Sequence, residues 1–202
     1  MYTRCLTGLL ACLLFFLSME RVKAESPPFP RKKSVSSKPS PSVQIMDKGK
    51  KTERHLVHFV HRNNQGVDSV LLRRIIKAYL DECAREGVNH DVAVCQMCLE
   101  TGFLKFDGTV SRYQNNFCGL GATGPYIQGE WFGTVELGVR AHIQHLKAYA
   151  SLEPLRSPLV DPRFHRVIRG SVLTIWDLTG TWASDPGYGL KIDQLLRRLY
   201  GL

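Results

Sequence analysis

Cys95, Cys98 and Glu100 lie within one short apolar stretch, CQMCLETGFLKF, and offer two rival chemistries. A Cys-x-x-Cys pair works as a redox dithiol when it opens a helix behind a strand, where the helix dipole lowers a thiol pKa. Nothing before Cys95 reads as such a strand and turn, and the spacing puts both thiols one turn apart within a continuous helix. Zinc is the other thiol chemistry. His142-Ile-Gln-His145 adds a second i, i+3 pair, and the four residues form a formal Cys₂His₂ set. The pairs are too far apart along the chain for a compact finger, so neither metal nor cofactor is expected. Cys83, Cys95, Cys98 and Cys118 are read as small buried residues with one or two disulfides among them.

The carboxylate is the stronger candidate. Glu100 is flanked by Leu99, Phe103 and Leu104, and loss of hydration in such company raises a carboxyl pKa. A carboxylic acid kept protonated near neutral pH is what a glycosidase needs to protonate a leaving glycosidic oxygen. Structural glutamates are common, so the residue alone does not decide the matter. The Gly- and Asn-rich passage behind it, Thr101 to Gly133, reads as a long functional loop that could form a cleft wall. Within that loop Trp131, beside Tyr126 and Phe132, is the aromatic best placed to stack on a sugar.

Helices must position these groups. Val67–Arg85 reads as an amphipathic helix, with Asp68 as its N-cap and Gly87 as its stop. Val92–Thr101, which carries Glu100, is apolar nearly all round and belongs in the middle of the domain. Val135–Ser151 makes a third helix, a short one restarts around Thr174–Leu178, and Tyr188–Leu199 is terminal. His142 and His145 are read as satisfied structural histidines, and Arg140 as a salt-bridge partner in the core. The class is α+β, mainly helical, with a minor irregular or β element.

The formal charge of +9 is unevenly spread: +2 on residues 1–24, +5 on 25–52 and +2 on 53–202. A nucleic-acid reader would carry its charge on the folded part, so nucleic acid is not an expected partner. Residues 1–24 read as a secretory signal peptide. Arg4 precedes an apolar run, Cys5–Met19, too short to span a bilayer, and Val22-Lys23-Ala24 supplies a cleavage site. A lipobox ending at Cys12 fits less well, because the apolar run continues past it; an uncleaved anchor is the other alternative. Residues 25–52, rich in Pro, Ser and Lys, are expected to form a flexible basic tether suited to an anionic envelope surface. That leaves 53–202 as one ordinary domain, secreted or periplasmic after cleavage, with no transmembrane span in the mature chain.

Several runs occur in a telling order: Asn89-His90-Asp91, QMCLETGFL (96–104), QNNFCGLGA (114–122), GVRAHIQHL (138–146) and WASDPGYGLKI (182–192). Together they resemble the bacterial glucosaminidase domain, glycoside hydrolase family 73, found in flagellar muramidases and autolysins. The resemblance covers about residues 55–200. It implies a lysozyme-like fold in which a helical lobe faces a small β lobe across a glycan cleft. It also implies cleavage of the β-1,4 bond after N-acetylglucosamine in peptidoglycan, by a monomer whose partner is the glycan strand. By the same resemblance Glu100 is the general acid, Asn115 and Asn116 belong to the cleft-shaping loop that binds substrate, and Tyr188 lines the active site. Trp182 stands where many relatives have Tyr. Many relatives also carry a second acidic residue, for which Glu130, Glu136 and Asp185 are the candidates. Without a close second carboxylate, the substrate's own acetamido group could act as nucleophile; water held by a cleft carboxylate or by Tyr188 is the inverting rival. Motif order further pairs Cys98 with Cys118 as a disulfide. A non-catalytic wall-binding module using the same cleft is the alternative function.

Overall fold

Apolar periodicity and capping side chains divide the chain into helices joined by long, internally bonded loops. The computed structural model describes residues 40–124 and 127–201, all within one compact unit, Ser37–Leu202. The expected signal peptide, most of the expected tether and Tyr126 lie outside the described residues. Among the described residues five α-helices follow one another: α1 Glu53–Asn63, α2 Ser69–Glu86, α3 His90–Glu100, α4 Val135–Ala150 and α5 Tyr188–Tyr200.

The expected caps hold α2 in place. The Asp68 carboxylate accepts from Leu71 N at 2.7 Å, satisfying one of the helix's orphan amides, and the helix stops at Gly87 in the left-handed region. Asn89 caps α3 in the same way, accepting from Asp91 N at 3.1 Å. Every residue from Asp91 to Cys98 is buried, so α3 has no solvent face and packs against α1, α2 and α5. α4 lies along α2, joined by Arg140 to the Glu82 carboxylate at 3.0 Å and by a fully buried pair, Lys147 to Glu86, at 2.9 Å. Glu86 also accepts from the amides of Arg156 and Ser157, and Lys147 donates to Pro154 O, which fastens the Pro-rich segment after α4 to both helices.

Four features differ from the expectations. α1 is the first, an element with no counterpart in the sequence reading; its apolar Leu56, Phe59 and Val60 are spaced for one helix face but interleaved with histidines. The short helix around Thr174–Leu178 is a turn instead, because Asp177 captures the Leu173 and Thr174 amides and the Thr174 hydroxyl. The tether does not run to residue 52. Val43–Lys51 forms a strap on the domain, with Ile45 fully buried and hydrogen-bonded to Leu173 O. Its Lys50 and Lys51 amides both donate to Asp91, whose carboxylate also accepts from Tyr200 OH at 2.7 Å. Lastly, no small β lobe forms among the described residues. The passage between α3 and α4 holds a 3₁₀ turn, Arg112–Gln114, and one isolated bridge, Gly124 to Ile127. The fold is mainly helical, as a lysozyme-like domain requires.

The Cys98–Cys118 disulfide is not formed; all four cysteines from Cys83 onward are free and buried. Cys98 belongs to the main core beside α5, whereas Cys118 packs in a separate cluster with Leu120 and Ala141. Burial pushes each thiol up and keeps it protonated. Among the described residues no helix is long and apolar enough to cross a membrane.

Candidate active site

Glu100 is the last residue of α3, and the backbone beyond it takes an unusual path. Thr101 closes the helix through its hydroxyl, which donates to Met97 O at 2.7 Å and accepts from Leu104 N at 2.9 Å. Gly102, Phe103, Leu104 and Phe106 then all have positive φ, from 57° to 64°. A left-handed backbone costs a residue with a Cβ roughly 1–2 kcal/mol, so something must hold it. Phe103 N bonds Cys98 O and Phe106 N bonds Thr101 O, both at 2.9 Å, while Asn64 donates to Phe103 O. The Phe103 ring sits edge-on to Phe59 at 5.6 Å. The turn reverses the chain at once and leaves the Glu100 side chain at the edge of the core.

The two carboxylate oxygens of Glu100 have different surroundings. Oε1 takes two donors, Trp182 Nε1 at 3.1 Å and the Tyr188 hydroxyl. Oε2 has no hydrogen-bond partner among the described residues and faces Gly119, where a Cβ would stand 3.5 Å away. Burial raises the Glu100 pKa above the usual carboxyl value, and the bonds from Tyr188 and Trp182 offset part of that rise. Burial and the neighbouring carboxyl together push the Tyr188 phenol far up, so it keeps its proton. Oε1 is thus a saturated acceptor, and Oε2 is the oxygen free to carry and deliver a proton.

The loop beside Oε2 is built by the expected asparagines. Asn116 is buried; its amide donates to Leu120 O and Glu130 O, and its carbonyl accepts from Leu120 N. Asn115, at φ 49°, donates to Phe132 O. Its carbonyl oxygen lies so close to α4 that a Cβ at Gly138 would overlap it. Both asparagines therefore tie residues 114–122 to 128–132, and Gln114 reinforces the tie by donating to Gln128 O at 2.7 Å. Asn116, expected to bind substrate, spends its polar atoms on the loop itself.

Beside Gly119 opens a cavity of about 210 Å³, walled by Cys118–Thr123 on one side and by His145, Tyr149, Arg163 and Trp182 on the other. Trp182 serves both as wall and as donor to Glu100; its ring packs against His142, His145 and Tyr149. His145 is held by Asp161 at 2.8 Å. A second hollow, of about 460 Å³, shares the same loop through Asn115 and Phe117.

Of the three candidate second acids, two are committed elsewhere. Glu136 pairs with Arg74 through both oxygens, at 2.8 and 2.9 Å, and that bond holds its carboxyl down at about 2. Asp185 pairs with Lys191 and caps the turn into α5 at Gly187 N. Glu130 lies beside Gly121, one of the residues walling the cavity. Trp131 is 60 % exposed, as a sugar platform must be, and Tyr113 on the adjoining 3₁₀ turn is 79 % exposed. Tyr113 escaped the sequence reading because a lone tyrosine among polar residues carries no pattern. In the sequence Gln96 has no role of its own and His142 reads only as a metal ligand or a structural histidine, yet they join Tyr188 through buried bonds of 2.9 and 3.0 Å. Among the described residues no group of three or more His, Cys, Asp or Glu is placed to hold a metal ion.

No solved structure matches the chain. A protein of Borreliella burgdorferi, described as uncharacterized, is 46% identical over 155 residues, covering 77% of this chain and 76% of that protein. The family model for mannosyl-glycoprotein endo-beta-N-acetylglucosaminidase matches residues 76–201, the span that contains Glu100, the Asn115–Asn116 loop, Trp182 and Tyr188. That match spans more than half of the chain, and the chain belongs to the glucosaminidase family.

Proposed function

We propose that the protein is an exported peptidoglycan hydrolase that cleaves the β-1,4 bond after N-acetylglucosamine, with Glu100 as general acid. The observation that carries the reading is the asymmetry of that carboxyl group. It is desolvated, its Oε1 is saturated by Trp182 and Tyr188, and its Oε2 is unbonded beside the cavity wall. A glycosidic oxygen approaching from the cavity meets Oε2, takes its proton and leaves as the sugar hydroxyl. Glu130, which pairs with no cation among the described residues and lies beside Gly121 on the same loop, then serves as the second carboxylate, on water or on the developing positive charge at the sugar. Tyr113 and Trp131 offer exposed rings on which pyranose faces stack.

Purified sacculi incubated with the protein should release reducing ends that carry N-acetylglucosamine. Glu100→Gln should fold normally and lose at least about 10³-fold in rate, and Glu130→Gln about 10²-fold or more. A Glu100→Gln variant that retains most of its activity would remove the acid assignment. Binding to sacculi without release of ends by the unmodified protein would instead make the domain a wall-binding module.

A further inference from the structure

Tyr188, the donor to Glu100, is the last member of a buried series. Gln96 Nε2 donates to the Tyr188 oxygen at 2.9 Å. Gln96 Oε1 meets His142 Nε2 at 3.0 Å, and His142 Nδ1 meets Tyr79 OH at 2.8 Å. Tyr79, Gln96 and His142 are fully buried, and Tyr188 is 4 % exposed. The four come from α2, α3, α4 and α5, so the series crosses the core at the place where these helices meet.

Donor satisfaction gives the series a direction. Tyr79 OH has no acceptor other than His142 Nδ1 among the described residues. A buried hydroxyl proton without an acceptor is costly, so Tyr79 donates and Nδ1 accepts. His142, neutral because burial and nearby His145 push its pKa down to about 3, then carries its single proton on Nε2 and donates to Gln96 Oε1. That fixes the Gln96 amide with its N–H toward Tyr188, whose own proton is left only Glu100 Oε1 to serve. In the reverse direction the Tyr79 proton is stranded.

We propose that Tyr79, His142 and Gln96 act as positioning residues, forming a one-way chain of hydrogen bonds that holds the Tyr188 hydroxyl as a donor to Glu100 Oε1 and so confines the acid proton to Oε2. The proposal deepens the reading of Glu100 as the acid and rests on it. The groups facing Glu100 are Tyr188 and Trp182, with Cys118 and Tyr79 coupled to it at longer range. His142 faces Tyr79, Gln96, His145 and Trp182. Among these, only Tyr188 and Trp182 bond to the carboxyl, and of those two only Tyr188 can turn its proton away.

Tyr79→Phe removes one hydroxyl far along the chain and frees the His142 tautomer. Reversed chains then withdraw the Tyr188 proton from Oε1. The carboxylic-acid infrared band assigned to Glu100, by its loss in Glu100→Gln, should titrate about one pH unit higher in Tyr79→Phe than in the unmodified protein. The basic limb of the pH–rate profile on sacculi should move the same way. Gln96→Met, which breaks the chain next to Tyr188, should reproduce the shift. An unchanged midpoint in either folded variant overturns the chain as a positioning device and leaves it as packing. The infrared titration needs no turnover, so it tests the chain even if the sacculi assay fails.

Discussion

A single carboxyl group with two unlike oxygens is the residue-scale finding. Gly119 stands directly against the free one, at φ +65°, where a side chain is strained whatever the space. Gly119→Ala should cost about 1 kcal/mol of stability from the left-handed backbone. It should lower kcat on sacculi by more than that loss explains, since the new methyl lies in contact with Oε2, the oxygen proposed to carry the proton. A drop in melting temperature with kcat intact would mean that substrate does not approach by way of Gly119. The desolvation of Glu100 was legible, because its neighbours in sequence are apolar. The chain behind it was not. Gln96, His142 and Tyr79 each look like isolated polar residues in apolar helices, and only the fold brings them into line across 92, 46 and 63 positions of sequence.

Helices whose signals are local are legible in the sequence, and elements held by distant partners are not. α2 advertises itself through periodicity and caps, and α5 through its apolar pattern alone. The strap does not, because its anchor is a pair of backbone amides on a carboxylate some forty residues away. Thr174–Leu178 misleads because Asp177, which reads as one more helical residue, withdraws the amides from any helix. The α2–α4 contact is another element-scale feature invisible in sequence, and it makes a sharp prediction. Lys147 and Glu86 are fully buried partners, so Lys147→Met leaves the Glu86 charge without its cation and Pro154 O without its donor. Urea unfolding should register a loss of about 3–5 kcal/mol. Glu86→Gln combined with Lys147→Met should recover a substantial part, and failure to do so would show that packing rather than charge is lost.

At the scale of the whole molecule, pH couples stability to the buried core. His142 stays neutral when folded, with a pKa near 3 against 6.5 when exposed. Between those values the unfolded chain binds a proton that the folded chain refuses, so stability falls as pH drops through the window, by up to about 1.4 kcal/mol per pH unit. Glu86 adds to the loss only below its ordinary value, because its folded carboxyl is held low: burial raises it, but the Arg156, Lys147 and Ser157 bonds outweigh that. Glu100 works in the opposite sense, since its raised pKa favours the folded state as the carboxyl becomes protonated. Urea midpoints at about pH 7.5 and about pH 5.5 should therefore differ in the unmodified protein and converge in His142→Gln. Equal slopes in both would reassign the dependence to other groups. The strap carries a mechanical consequence as well. Asp91, near the start of α3, gathers the Lys50 and Lys51 amides together with Tyr200 OH, while Glu100 ends the same helix. Nine residues at 1.5 Å each separate the two backbone positions by about 14 Å along the helix axis. Force applied at the start of the strap is thus taken up at the end of the helix far from Glu100 and shared with α5, so the Glu100 end of α3 is sheltered from it.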